Sequence, residues 1–234
     1  MKFEKKLTHG ILKRRYKRFL ADIVLDHGEE VVAHCTNSGS MKSCLEEGAE
    51  VYLSPVDDPS RKTKYTWEMI KINEKWVGIN TSNPNVLAYE AIVNGQIPGL
   101  RQYTSVKREV RFDDSRFDIF AENGDEKCFI EVKNVTYKEG DYALFPDAVT
   151  TRGLKHLHTL AKVKAAGYRA VMLYIIQRTD IIYFDTANEI DPAYSEALIE
   201  AVKNGVEVMA IKVQVTPESL QIGDRVCWKP RKKD

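Results

Sequence analysis

Asp118, Glu131 and Lys133 lie within RFDIFAENGDEKCFIEVKNVT (residues 116–136), a stretch otherwise patterned like a buried hairpin. Charges placed in an apolar pair of strands cost stability unless they are paired or used. Asn123-Gly124 is a strong hairpin signal, because both residue types tolerate positive φ. A two-residue loop there sets Asp118 opposite Phe129 and diagonal to Glu131. A four-residue loop, Asn123 to Glu126, sets Asp118 directly opposite Glu131. In either register Asp118, Phe129, Glu131 and Lys133 share one face, and Phe117, Ile119, Cys128, Ile130 and Val132 form an apolar reverse face. Only an odd loop without a compensating bulge breaks this pattern.

Two carboxylates this close raise each other's pKa unless a cation sits between them. Mg²⁺ suits such a pair, since it takes one or two protein carboxylates and keeps several waters. Mn²⁺ is the alternative. Lys133 would then orient the attacking water or stabilise charge on a phosphate, which is the chemistry of a metal-dependent phosphodiesterase. The tripeptide [DE]-x-K is weak by itself, for the chain holds three: Glu4–Lys6, Asp125–Lys127 and Glu131–Lys133. Only the last has an upstream Asp on its own face. The competing reading is an exposed cross-strand salt-bridge cluster, which contributes little.

These residues must be positioned by a chain of 234 residues, 43% apolar and 29% charged, enough for one large or two modest domains of an ordinary globular protein. The longest apolar run, AVMLYII (170–176), suits a buried strand and is too short for a membrane span. A basic N-terminus without a continuous apolar stretch indicates a cytoplasmic protein rather than a secreted one. Cys35, Cys44, Cys128 and Cys227 form no CxxC pair and read as reduced thiols; with His34 they match no standard zinc spacing. The net charge of +1 conceals a basic N-terminal segment, with eight Lys or Arg in residues 1–18 against Glu4 alone. Such a segment attracts polyanions, or is simply a solvated face.

Residues 1–82 read as short strands. RYKRFLADIVL (15–25) alternates so that Phe19, Ala21, Ile23 and Leu25 line a core, with Tyr16 and Arg18 pointing outward. Asp26-His27-Gly28 turns into EEVVAHC, and EVYLSP, KYTWEMIKI and KWVGIN follow. About five strands without a helix predict a small OB-like barrel with Trp67 in its core. Its Tyr16, Arg18, Arg61, Lys62 and Lys64 are the types that stack bases and follow a phosphate backbone. Residues 83–234 alternate strands and helices, which predicts an α/β domain. Pro84 opens a helix that Gly95 closes. The hairpin, an amphipathic helix from Asp147 (the expected N-cap) to about Ala166, and a strand–helix–strand unit able to pair in parallel come after it. Asn37 and Gly39 shape a tight loop.

The hairpin resembles the PD-(D/E)xK nuclease core, Asp118 preceding Glu131-Val132-Lys133 on the next strand. Further motifs, RYKRFLADI, HCTNSGSM, RKTKYTWE, SRFDI, IEVKNVT and FPDAVTTRGLKHL, occur in the order found in the sugar fermentation stimulation protein A family and cover nearly the whole chain. The basic tail KPRKKD is not one of that family's motifs. The resemblance implies an N-terminal OB-like β-barrel and a C-terminal PD-(D/E)xK nuclease-like mixed sheet flanked by helices, an α+β or α/β two-domain chain. It also implies DNA binding with little sequence preference and a link to sugar (maltose) metabolism.

By that resemblance Glu90, on the helix before the hairpin, joins Asp118 and Glu131 as a metal ligand, Glu109 being the lesser candidate. Arg152, Lys155 and His156, with Arg14, Arg15, Tyr16, Lys17, Arg18, Asn37, Arg61, Lys62 and Lys64, would contact nucleic acid. The plain alternative for Arg152, Lys155 and His156 is a solvated helix surface. A nuclease and a non-catalytic DNA-binding or regulatory protein both fit these residues. The lack of a helix-turn-helix signature disfavours an operator-specific regulator.

Overall fold

The computed structural model describes residues 1–231; Lys232, Lys233 and Asp234 of the basic tail lie outside the described residues. Six strands build the first unit: β1 (Thr8–Tyr16), β2 (Leu20–Leu25), β3 (Glu30–His34), β4 (Glu50–Pro55), β5 (Tyr65–Ile72) and β6 (Lys75–Gly78). β1 pairs with β2 and β4, β4 with β5, and a short parallel pairing of β3 with β5 closes the ring into an OB barrel. Closure leaves no free edge among those five strands and encloses Leu12, Ile23, Leu53 and Trp67. The stretch expected to run as one strand over residues 15–25 is split by a turn. Lys17 and Arg18 take left-handed φ of 49° and 65°, and Phe19 is half exposed instead of lining the core.

The second unit contains α1 (Asn83–Val93), β7 (Ser105–Phe112), β8 (Ser115–Glu122), β9 (Lys127–Val135), β10 (Tyr137–Glu139), β11 (Tyr142–Phe145), α2 (Thr151–Ala165), β12 (Arg169–Ile176), β13 (Tyr183–Thr186), α3 (Pro192–Lys203), β14 (Glu207–Val215) and β15 (Leu220–Trp228). Its mixed sheet runs β10-β11-β13-β15-β14-β12-β9-β8-β7. β9, β12 and β14 are parallel, as the βαβ pattern requires. Helices cover both faces, which explains why β12 is an unbroken apolar run. Val171, Leu173 and Ile175 meet Leu87, Ala88 and Ala91 of α1, while Met172 and Tyr174 meet Leu157, Leu160 and Leu198 of α2 and α3. Asp147 is not the cap of α2: the Thr150 side chain accepts from Gly153 N and fills that role.

The units are joined by buried polar contacts. Gly78 N donates to Gln177 O at 2.8 Å, and Arg178, 1% exposed, donates to Thr136 O and Ser43 Oγ while Asp180 holds its guanidinium. The N-terminal segment lies on the second unit: Leu220 N donates to Met1 O, and Leu7 enters the core beneath α1.

Candidate active site

The hairpin turns on four residues, Asn123 to Glu126, with Gly124 at φ 90° and Asn123 Oδ1 accepting from Glu126 N. The β8–β9 ladder pairs Glu122 with Lys127 and ends at Ile119–Ile130. Continuing the register one step places Asp118 opposite Glu131, but no ladder bond forms there. Instead the Asp118 carboxylate enters the gap, and its Oδ2 accepts from Val132 N at 2.8 Å. On its other side β8 faces Glu109 of β7, which is forced to a left-handed φ of 59°. Both neighbours of β8 are therefore irregular at Asp118.

This irregularity overturns the expected division of the hairpin into one apolar and one polar face. Ile119, Cys128, Ile130 and Val132 pack under α1, but Phe117 lies on the opposite side with Phe120 and Phe129, beneath α2. β8 leaves the ladder at Asp118, so strict alternation fails across that residue. The carboxylates are reached from different helices. Asn85 of α1 donates to Asp118 Oδ1 at 2.7 Å, whereas His156 of α2 is hydrogen-bonded through Nδ1 to Glu131 Oε1.

Glu131 is 2% exposed and also receives the Lys133 ammonium on Oε1. Burial by itself would raise its pKa, but His156 and Lys133 outweigh burial and hold it below the usual carboxylate range. Lys133 Nζ lies 3.4 Å from His156 Nδ1. Since both groups donate to Glu131, that second contact is proximity around a shared acceptor. Asp118 differs: burial, reinforced by the Glu131 charge, pushes its carboxyl up to about 6.

A hard cation fits this donor set. Glu131 Oε2 is buried with no hydrogen-bond partner, and the adjoining Asp118 is costly to ionise without a counter-charge. Among the described residues no group of three or more His, Cys, Asp or Glu is placed to hold a metal ion. Two carboxylates completed by water suit Mg²⁺ better than a softer ion.

Glu90 is not brought to this pair. Its carboxylate meets the Met1 ammonium at 3.3 Å, and Asn85, five residues earlier and on another flank of α1, reaches the site instead. Glu109 pairs with Arg116 at 2.7 Å. Of the expected phosphate contacts on α2, Arg152 is exposed, Lys155 pairs with Asp114 at 2.9 Å, and His156 is buried on Glu131 rather than facing solvent. In the barrel Arg14 pairs with Asp22 at 2.7 Å and lies over the Tyr16 ring. Arg15 donates to the carbonyls of Arg18, Asn37 and Gly39, and Asn37 is 5% exposed with Oδ1 accepting from Gly39 N. Those two residues hold a loop. Tyr16, Lys17, Arg61 and Lys62 line an open cleft of about 1040 Å³, Arg18 lines a neighbouring cavity, and Lys64 is exposed on the approach to β5.

Sequence reasoning missed Asn85 and the inward aim of His156. Asn85 carries no charge and lies outside the hairpin, so only its position in the first turn of α1 could have pointed to it. The spacing of His156 from Gly153, Leu157 and Leu160 is the available signal that it lies on the buried side of α2.

Comparison with known proteins gives a consistent picture. Residues 14–79 match the family model described as the SfsA N-terminal OB domain, and residues 82–219 match the sugar fermentation stimulation protein RE domain. The chain is 50% identical over 217 residues to a sugar fermentation stimulation protein homolog of Geotalea uraniireducens, covering 92% of this chain and 94% of that protein. A homolog from Paramagnetospirillum magneticum is 45% identical over 225 residues, 95% of each chain. The structure of Pyrococcus furiosus SfsA in complex with Ca²⁺ superposes with a TM-score of 0.88 at 26% identity, over 98% of each chain.

Proposed function

The chain belongs to the sugar fermentation stimulation protein family, and from that premise we propose that it binds DNA with little sequence preference and hydrolyses phosphodiesters at the Asp118–Glu131–Lys133 site. The observation that carries this reading is the buried, unpartnered Oε2 of Glu131 beside Asp118, whose pKa is raised. Asp118 and Glu131 Oε2 would hold Mg²⁺ or Mn²⁺. The ion would supply charge neutralisation for the phosphate and a more acidic water. Ca²⁺ in the Pyrococcus furiosus relative is a hard, oxygen-seeking cation of the same kind.

The chain's own groups do the remaining work. Lys133 donates toward the attacking water and the phosphate oxygens. Asn85 fixes Asp118 through Oδ1, and His156 fixes Glu131 through Oε1, leaving Oε2 to the cation. Water oxygen bonds to phosphorus and gives up a proton to solvent, one ester P–O bond breaks, and the departing oxygen takes a proton from solvent. Lys17, Arg18, Arg61, Lys62, Lys64 and Arg152 supply the positive surface that holds DNA without reading bases.

The four free cysteines, three of them buried, suit a reducing cytoplasm. Among the described residues no helix is long and apolar enough to cross a membrane. The relatives' name concerns sugar fermentation; a DNA-binding protein could act there through gene expression. Incubation of supercoiled, linear and single-stranded DNA with Mg²⁺, Mn²⁺ or EDTA tests the proposal. Cutting that EDTA abolishes is expected, and binding without cutting under every condition would leave a DNA-binding module on a nuclease-like fold.

A further inference from the structure

Phe19 is the largest and most exposed of the apolar side chains that the barrel leaves open to solvent, at 50%, and its backbone is fixed. Lys17 and Arg18 occupy the left-handed region, Arg15 Nε donates to Arg18 O at 3.0 Å, and Cys35 N donates to Phe19 O at 2.9 Å. The ring stands on the wall of the 1040 Å³ cleft with Tyr16, Lys17, Arg61 and Lys62. An aromatic ring held open beside three cations has the character of a stacking platform for bases with a track for their phosphates.

The cleft has a neighbour. A cavity of about 470 Å³ adjoins it, and Thr36 lines both. Thr36 is tied across the boundary, its Oγ1 accepting from Thr81 N and its carbonyl from Thr81 Oγ1. Thr81 lines the smaller cavity and Ser82 the larger one, three residues before the Asn85 that holds Asp118. The smaller cavity is also walled by Asn134, next in the chain to Lys133, and by Phe145 to Thr150, which lead into α2 and His156. The smaller space thus ends on β9, the strand that carries Glu131, and the larger one on Ser82, which leads into α1 and the Asn85 that holds Asp118.

We propose that the two cavities form one channel for a single strand of nucleic acid, with a base stacked on Phe19 and the backbone led past Thr36 toward the carboxylate pair. The proposal rests on the DNA-binding reading above and specifies the form of DNA: a single-stranded segment or frayed end. A continuous duplex hides its base faces from Phe19.

The test is fluorescence anisotropy in EDTA, so that cutting plays no part. A labelled dT oligonucleotide of about 16 nucleotides is compared with a blunt hairpin duplex of equal phosphate number. Phe19→Ala and Lys62→Glu alter exposed side chains, and thermal melting of each variant checks the fold. The channel predicts tighter binding of dT than of duplex, weakened roughly 5-fold or more by Phe19→Ala, with duplex binding unchanged by that variant. Equal affinity for both forms, or wild-type affinity in Phe19→Ala, overturns the channel and leaves DNA binding standing. No binding of either form at low salt would refute the underlying reading as well.

Discussion

The amide of Val132 donates to Asp118 Oδ2 at 2.8 Å, so a carboxylate occupies the position of a β-ladder acceptor. The bond fixes Asp118 beside Glu131 and ends the pairing of β8 with β9 at Ile119. A sheet opened in this way gives a carboxylate pair a rigid seat, the usual requirement for preorganised chemistry.

Asp118 gives the metal-free protein a characteristic pH response. Its folded carboxyl is pushed up to about 6, above the unfolded value of about 3.9. The native state therefore binds the proton more tightly, and this residue's contribution to stability is lost as pH rises from about 4 to 6. Two units correspond to about 3 kcal/mol. Asp118→Asn leaves one acceptor where the carboxylate offers two, to Val132 N–H and to the Asn85 amide, a penalty independent of pH. In EDTA the melting temperature of the variant relative to wild type should climb across pH 4–6 and then level off. Saturating Mg²⁺ should reduce that slope, and a flat difference in EDTA would show that Asp118 titrates normally.

His156 acts on Glu131 rather than on DNA. His156→Gln should lower Mg²⁺ or Mn²⁺ affinity by roughly 10- to 100-fold, measured by calorimetry, while DNA affinity in EDTA stays at wild type. Loss of DNA affinity with metal binding intact would return His156 to the phosphate-contacting role expected from sequence.

DNA affinity should fall steeply and linearly with salt on logarithmic axes. Six to ten phosphate contacts would reduce it roughly 10³- to 10⁵-fold between about 50 and 200 mM salt. Lys5, Lys13 and Arg14 are already paired with Asp57, Glu30 and Asp22, so their replacement by Ala should change the slope little. Lys62→Ala should reduce it by about one. Affinity that hardly responds to salt would contradict electrostatic binding.

Gly39 brings the 34–41 loop against the segment preceding α2. A Cβ on Gly39 would stand 2.2 Å from Asp147 Oδ2, closer than any contact distance. Gly39→Ala obliges the partly buried Asp147 side chain to swing aside and should cost about 1 kcal/mol in chemical denaturation, and Asp147→Ala should recover it. An unchanged midpoint would show that the Asp147 side chain yields without cost.

Much of this architecture was legible from pattern. Apolar alternation marked β2 to β6 of the barrel but not β1 (Thr8–Tyr16), and Asn123-Gly124 with its neighbours placed Asp118 near Glu131 in either register. What escaped depended on tertiary context. Neither Lys17 nor Arg18 advertises a left-handed turn, so Phe19 read as core. Phe117 changed sides because a side-chain acceptor broke the ladder, an event that alternation cannot encode. Asp147 and Thr150 are both good caps, and Asp191, whose Oδ2 accepts from Thr150 N, helps position the one that is used. Glu90 has the chemistry of a ligand, but the helix turns it toward Met1. β15, antiparallel to β14, went unread because Gly223 and three charged or polar residues, Gln221, Asp224 and Arg225, interrupt its apolar pattern.

The most direct measurement is nicking of supercoiled DNA with Mg²⁺ by wild type, Glu131→Gln and Lys133→Ala, with DNA binding followed in parallel. The account predicts EDTA-sensitive cutting by wild type, reduced about 100-fold or more in both variants, with binding retained. Cutting that survives in both variants, or no cutting by a wild type that binds both DNA and Mg²⁺, would contradict it.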